Sequence, residues 1–212
     1  MYNENNKIAA PTLAARVREV KQSLRGMMNG PVSQSMREKG LAYKVNFGVE
    51  LPRLRELAAG LPHDFALASA LWQEDIRECR LLAPMLMPPG EFDVAMADMW
   101  ADGMRYPEEA EVAVFSLFCR LPFASSAAFG WIADERPMRQ LCGWLLLGRL
   151  FQQGMRPGLR DADELLDQLE SALRCGSAPV RTAAGKTLLR YMDFGVAEEE
   201  RGEALLRRVQ EG

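Results

Sequence analysis

Residues 71–87 read LWQEDIRECRLLAPMLM, and the fold turns on how this stretch is read. Ile76, Cys79, Ala83 and Leu86 recur at steps of three or four, with Leu82 beside them. That spacing gathers them on one face of a helix. Arg77, Arg80 and Pro84 fall on another side. Gln73-Glu74-Asp75 supplies acid to the first turn, where the helix dipole favours it. Pro84 removes a backbone hydrogen bond and predicts a bend. Pro88-Pro89-Gly90 then stops the helix. A second amphipathic segment follows over 91–102. A bent helix, a short break and a partner helix make one unit of a helical repeat. An ordinary helical hairpin in a compact bundle fits the same stretch equally well, so the choice rests on the remainder of the chain.

Outward from this stretch the chain reads as helix after helix. Helices are predicted over 12–28, 33–38, 50–59 and 63–71 on its N-terminal side, with an irregular segment at 40–48. Beyond it they are predicted over 107–120, 122–134, 137–153, 161–174, 177–193 and 197–210. Phe115 joins Val112, Leu117 and Phe118 as predicted core. The segment 137–153 is apolar almost all round, which marks a central helix; only Arg139, Gly143, Arg149 and Gln153 trace a less apolar line. Valine and isoleucine are sparse and alternating runs nearly absent, so almost no strand is expected. First helices of successive pairs begin near 74, 107, 137 and 178. This irregular period, without letter-level repetition, predicts an all-α, HEAT-like α-α superhelix. Its antiparallel helical pairs form a single domain over 1–212, with 1–10 frayed and a charged last helix as cap.

Composition bounds the function. Apolar residues make up 48% and charged residues 26%, which is ordinary for a globular protein. The net charge of −3 is uneven. Residues 1–60 hold ten Lys/Arg against five Asp/Glu, and residues 61–212 hold sixteen against twenty-four. A DNA-binding protein usually carries a basic footprint. The overall balance leans away from one, although a local basic face fits inside it. Cys79, Cys119, Cys142 and Cys175 are widely spaced, and His63 is the one histidine. No zinc-ligand pair is present, and the cysteines read as buried free thiols of a reducing compartment. His63, at a helix entry, reads as a surface or capping residue. No Gly-rich phosphate loop exists, so no cofactor and no metal are expected. The apolar run 141–147 is far short of the ~20 residues of a membrane span. The N-terminal residues hold no signal-peptide core. A cytoplasmic protein is expected.

FGVELPRLRELA (47–58) followed by LWQEDIRECRLLAPMLM resembles the paired signature of the DNA alkylation repair family, the AlkD-like alkylpurine DNA glycosylases. SAPVRTAAGKTLLRYMDFG (177–195) resembles that family's late helix. The similarity extends from about residue 10 to 210. The resemblance implies a HEAT-like solenoid whose concave, positively charged groove holds duplex DNA. It also implies excision of N3- and N7-alkylated purines by an Asp carboxylate flanked by two Trp side chains. A carboxylate there stabilises a developing oxocarbenium ion or positions water, and aromatics contact the cationic nucleoside.

Carried over by position, the carboxylate falls at Glu111, one methylene longer than Asp. One Trp position is Pro107, with Tyr106 as the aromatic substitute; the second is Lys186. Arg139 matches a family arginine of the DNA groove. Neither segment holds the Trp-plus-Asp arrangement, so the resemblance implies nucleic-acid binding with base excision weakened or lost. Glu108, Glu109 and Glu111, just after Pro107, also read as plain first-turn acid. The cations expected on the DNA side are Arg53, Arg77, Arg80, Arg139, Arg181, Lys186 and Arg190, with Arg55 beside them. A solvated face is the plain reading of the same residues. The alternative function is a non-catalytic HEAT-repeat scaffold that takes a protein partner in its groove.

Overall fold

The computed structural model describes residues 11–211, so the predicted frayed segment 1–10 lies outside it. Among the described residues the regular structure is helical. In order, the helices are α1 (Leu13–Gly26), α2 (Gly30–Glu38), α3 (Leu51–Ala59), α4 (Phe65–Trp72), α5 (Arg77–Leu86) and α6 (Val94–Gly103). They continue with α7 (Pro107–Ser116), α8 (Ala124–Ile132), α9 (Pro137–Gln152), α10 (Leu159–Arg174), α11 (Ala178–Met192) and α12 (Val196–Glu211). The chain divides into two compact units, Met1–Met87 and Pro88–Gly212.

In the first unit the stretch 71–87 is two helices, not one. α4 ends at Trp72 and α5 begins at Arg77. The cause is the loop before α3. Val45 N–H donates to the Asp75 carbonyl at 3.1 Å, and Arg77 N–H donates to the Val45 carbonyl at 3.1 Å. This isolated parallel bridge holds Ile76 extended (φ −124°, ψ 121°), which a helix could not accommodate. Glu78 then sits in the first turn of α5, fully buried, and accepts from Phe47 N–H (3.1 Å) and Val49 N–H (3.2 Å). Arg77 Nη1 donates to the Val49 carbonyl (3.0 Å) and to Glu78 Oε1 (3.3 Å). Gly48, at φ +72°, lies so close to α2 that a Cβ would sit 2.6 Å from Ser33 N. A left-handed residue in that contact must be glycine.

This corrects the reading of α5 as a helix with one polar, solvated side. Arg77 and Arg80 are both buried. Arg80 Nη1 donates to the Trp72 carbonyl (3.1 Å), and its guanidinium lies 4.1 Å over the Trp72 ring. The two arginines join α5 to its neighbours.

In the second unit alternate helices form layers. α7 packs on α9 and α9 on α11, while α8 lies on α9, α10 on α11, and α12 on both α10 and α11. α7, α9 and α11 each carry a proline in the first turn, where a missing N–H costs nothing. Their starts at 107, 137 and 178 are those read from the sequence. α9 is the central helix, with Leu141, Trp144, Leu146, Leu147 and Phe151 buried. Gly143, read as part of the less apolar line, belongs to the packing of α9, as does Gly148. A Cβ at Gly143 would lie 2.8 Å from Ile132 Cγ2, and one at Gly148 would lie 2.7 Å from Thr187 Oγ1. Phe115, expected in the core, is 40% exposed at the end of α7. Cys79 and Cys142 are buried as expected, whereas Cys119 and Cys175 are partly exposed.

Candidate nucleic-acid interface

The layer α7–α9–α11 presents residues of all three helices to a shared cleft. Pro107 and Glu111 come from α7, Leu141 and Leu145 from α9, and Ala178, Pro179, Thr182, Ala183 and Lys186 from α11. The cleft encloses about 350 Å³. Side chains four apart on a helix lie on one face, which is why these pairs point the same way. Glu111 and Lys186, nominated from distant parts of the sequence, therefore share one small site with Pro107. Both are exposed, and no ion pair joins them among the described residues.

The first turn of α7 divides its acids. Glu109 is buried, and its Oε2 accepts from Arg105 N–H at 2.8 Å, closing the turn that starts the helix. Glu109 thus has the first-turn role, and Glu111, two residues on and so on another side of the helix, faces the cleft. Tyr106 is the residue before the helix, half-buried, with the Arg105 guanidinium 6.0 Å from its ring. The cleft lining starts at Pro107, and Tyr106 is not among the residues that line it.

The expected cations have different surroundings. Arg53 and Arg55 are exposed on α3 in the first unit. Arg77 and Arg80 are buried there. Arg139 is held by carboxylates of its own unit. Its Nε and Nη2 donate to Asp102 at 2.6 and 2.7 Å, and Nη1 reaches Asp98 at 3.2 Å. The Asp102 hydrogen bond makes Arg139 hold its proton more tightly, and Arg139 in turn lowers the Asp102 pKa. With its side chain only 13% exposed, Arg139 ties α9 to α6. Arg181 is exposed, with Nη1 donating to the Cys175 carbonyl at 2.6 Å. Lys186 is exposed in the cleft. Arg190 is half-buried one turn further along α11; desolvation first, and the neighbouring Arg149 charge second, lower its pKa.

Charge is divided unevenly among the helices, with Glu108, Glu109 and Glu111 on α7. α9 and α11 carry Arg139, Arg149, Arg181, Lys186 and Arg190 and no carboxylate. α10 and α12 carry five carboxylates each. Arg149 escaped the list of expected cations because it was read as part of a nearly apolar helix. Its signal was its place one turn beyond Leu145. Among the described residues no group of His, Cys, Asp and Glu could hold a metal ion, and no helix is long and apolar enough to cross a membrane.

Comparison with known proteins agrees with this layered architecture. A solved structure from "a new family of proteins related to the HEAT-like repeat DNA glycosylases with affinity for branched DNA structures" is similar with a TM-score of 0.79. It is 17% identical to this chain, and the match covers 91% of this chain and 83% of that one. The fold of the chain is thus of the HEAT-like repeat kind, all-α as the sequence predicts. No curated protein matches the chain. A family profile described as "DNA alkylation repair enzyme" matches residues 20–193. Since that profile spans well over half of the sequence, the chain belongs to the DNA alkylation repair enzyme family.

Proposed function

We propose that this protein binds DNA through the α7–α9–α11 layer and that its cleft does not excise alkylated bases. The observation that carries this reading is the pairing of Glu111 with Lys186 across one cleft, with Pro107 as its third corner. In active relatives the resemblance implies a carboxylate between two tryptophans, arranged for a cationic base. Here the carboxylate survives and both aromatic positions are lost. A lysine ~4 Å from a cationic base costs roughly 1–4 kcal/mol, depending on how much water remains between them. The same lysine attracts a phosphate. Arg149 of α9 and Arg190 of α11 extend that attraction along the layer. The affinity of the structurally similar protein for branched DNA supports a DNA ligand, and branched as well as linear duplexes belong in the test.

The test is a titration of labelled linear and branched duplexes at two salt concentrations, with one linear strand carrying 7-methylguanine. Salt-sensitive binding without base release is the expected result. Release that is lost in Glu111→Gln would overturn the non-catalytic half of the reading. No binding even at low salt would overturn the DNA half and leave the protein-binding scaffold.

A further inference from the structure

One turn beyond Glu111, Leu145 and Lys186, the same three helices carry Phe115, Arg149 and Arg190. The geometry points to a nucleotide subsite here, which takes an unstacked base on Phe115 and its phosphodiester on the Arg149–Arg190 pair. This inference rests on the DNA-binding reading above and names the feature of DNA that the layer recognises.

Three observations carry it. First, two guanidiniums sit together with one neutral acceptor between them. In one orientation of its amide, the Gln152 oxygen accepts from Arg149 Nη1 at 3.5 Å. In the other it accepts from Arg190 Nη2 at 2.9 Å and Nε at 3.3 Å. One amide oxygen cannot serve both, so in either orientation one guanidinium faces an NH₂ group. Second, packing holds the pair in place. Arg149 Nε is shut off from solvent without a hydrogen-bond partner. Arg190 lies against α9 where a Cβ at Gly148 would come within 2.8 Å of its Nη1. No ion pair to a carboxylate is formed by either arginine among the described residues. Like charges brought together and partly desolvated are costly unless an anion joins them, and a planar guanidinium pair suits a phosphate. Third, the Arg149 guanidinium lies 5.6 Å over the ring of Phe115, which is 40% exposed. An aromatic open to solvent beside a phosphate-binding arginine is the arrangement that holds an unpaired base together with its backbone. A base within a continuous duplex is stacked on its neighbours and cannot reach such a ring.

The test compares three probes: a fully paired hairpin duplex, the same duplex with a one-nucleotide bulge, and the single strand dT4. Wild type should bind the bulged duplex more tightly than the paired one. Phe115→Ala should cut that preference roughly 5- to 100-fold, the range of one base–aromatic stack, and leave the paired duplex within about twofold. Phe115→Trp should keep the preference, which separates loss of stacking from loss of folding. Arg149→Gln and Arg190→Gln should each weaken dT4 and bulged-duplex binding. An unchanged preference in Phe115→Ala, or unchanged dT4 binding in both arginine variants, overturns the subsite while leaving the DNA-binding reading intact. Equal wild-type binding of the bulged and paired duplexes also overturns the subsite alone, whereas no binding of any of the three probes overturns the DNA-binding reading and the subsite with it.

Discussion

Asp102 and Asp134 are held below the usual carboxylate range, Asp102 chiefly by its hydrogen bond from Arg139 and Asp134 chiefly by its hydrogen bond from Arg136. A carboxylate whose folded pKa is depressed contributes stability above its unfolded pKa of ~3.9 and loses it as pH falls towards the folded value. Urea unfolding midpoints should therefore be level from pH 7 to about pH 5 and should fall below about pH 4. In Arg139→Gln the midpoint should be lower at neutral pH and the acid decline shallower. A decline as steep as that of wild type would mean that the α6–α9 ion cluster does not drive it. Arg139 is legible in the sequence as a cation on a central helix. Its partners are not, because Asp98 and Asp102 lie some forty positions earlier and meet it only when α6 packs on α9.

Among the elements, α5 departs furthest from its sequence pattern. Its apolar face is where periodicity puts it, yet its start is displaced because the loop at 43–49 takes backbone partners from residues 75–77. The buried Glu78 carboxylate satisfies two N–H groups of that loop and neutralises Arg77. Removing it takes the acceptor from two N–H groups and a buried carboxylate from the Arg77 guanidinium. Glu78→Ala should destabilise the protein by about 3–5 kcal/mol, measured by urea unfolding, and Glu78→Gln by less. A loss under about 1 kcal/mol for the alanine variant would show that water replaces the carboxylate. Amphipathic helices such as α10 are read correctly because their pattern lies within one segment. The α5 start and the exposure of Phe115 are set by contacts between segments, which no local window contains.

For the whole molecule, net charge is a poor guide because the layers divide it. Ten of the twenty-four carboxylates of residues 61–212 lie on α10 and α12, while α9 and α11 are free of carboxylates. If the cationic layer meets phosphates, the logarithm of the binding constant should fall linearly with that of salt. Lys186→Gln should then reduce the slope by about 0.9, the contribution of one phosphate contact. Arg53→Gln tests the exposed cation of the first unit in the same assay. A slope unchanged by Lys186→Gln would remove the cleft from the DNA surface.

The sequence by itself determined the helical repeat, the positions where the layered helices begin and the central place of α9. These are consequences of apolar period, proline placement and residue identity, which are properties of single segments. Only the tertiary structure decided which polar side chains remain available. It buried Arg77 and Arg80, committed Arg139 to aspartates, gathered Pro107, Glu111 and Lys186 into one cleft, and set Arg149 and Arg190 side by side. The physical reason is that a charged group's role depends on what lies within a few ångströms of it, and in a stacked helical repeat those neighbours come from other helices.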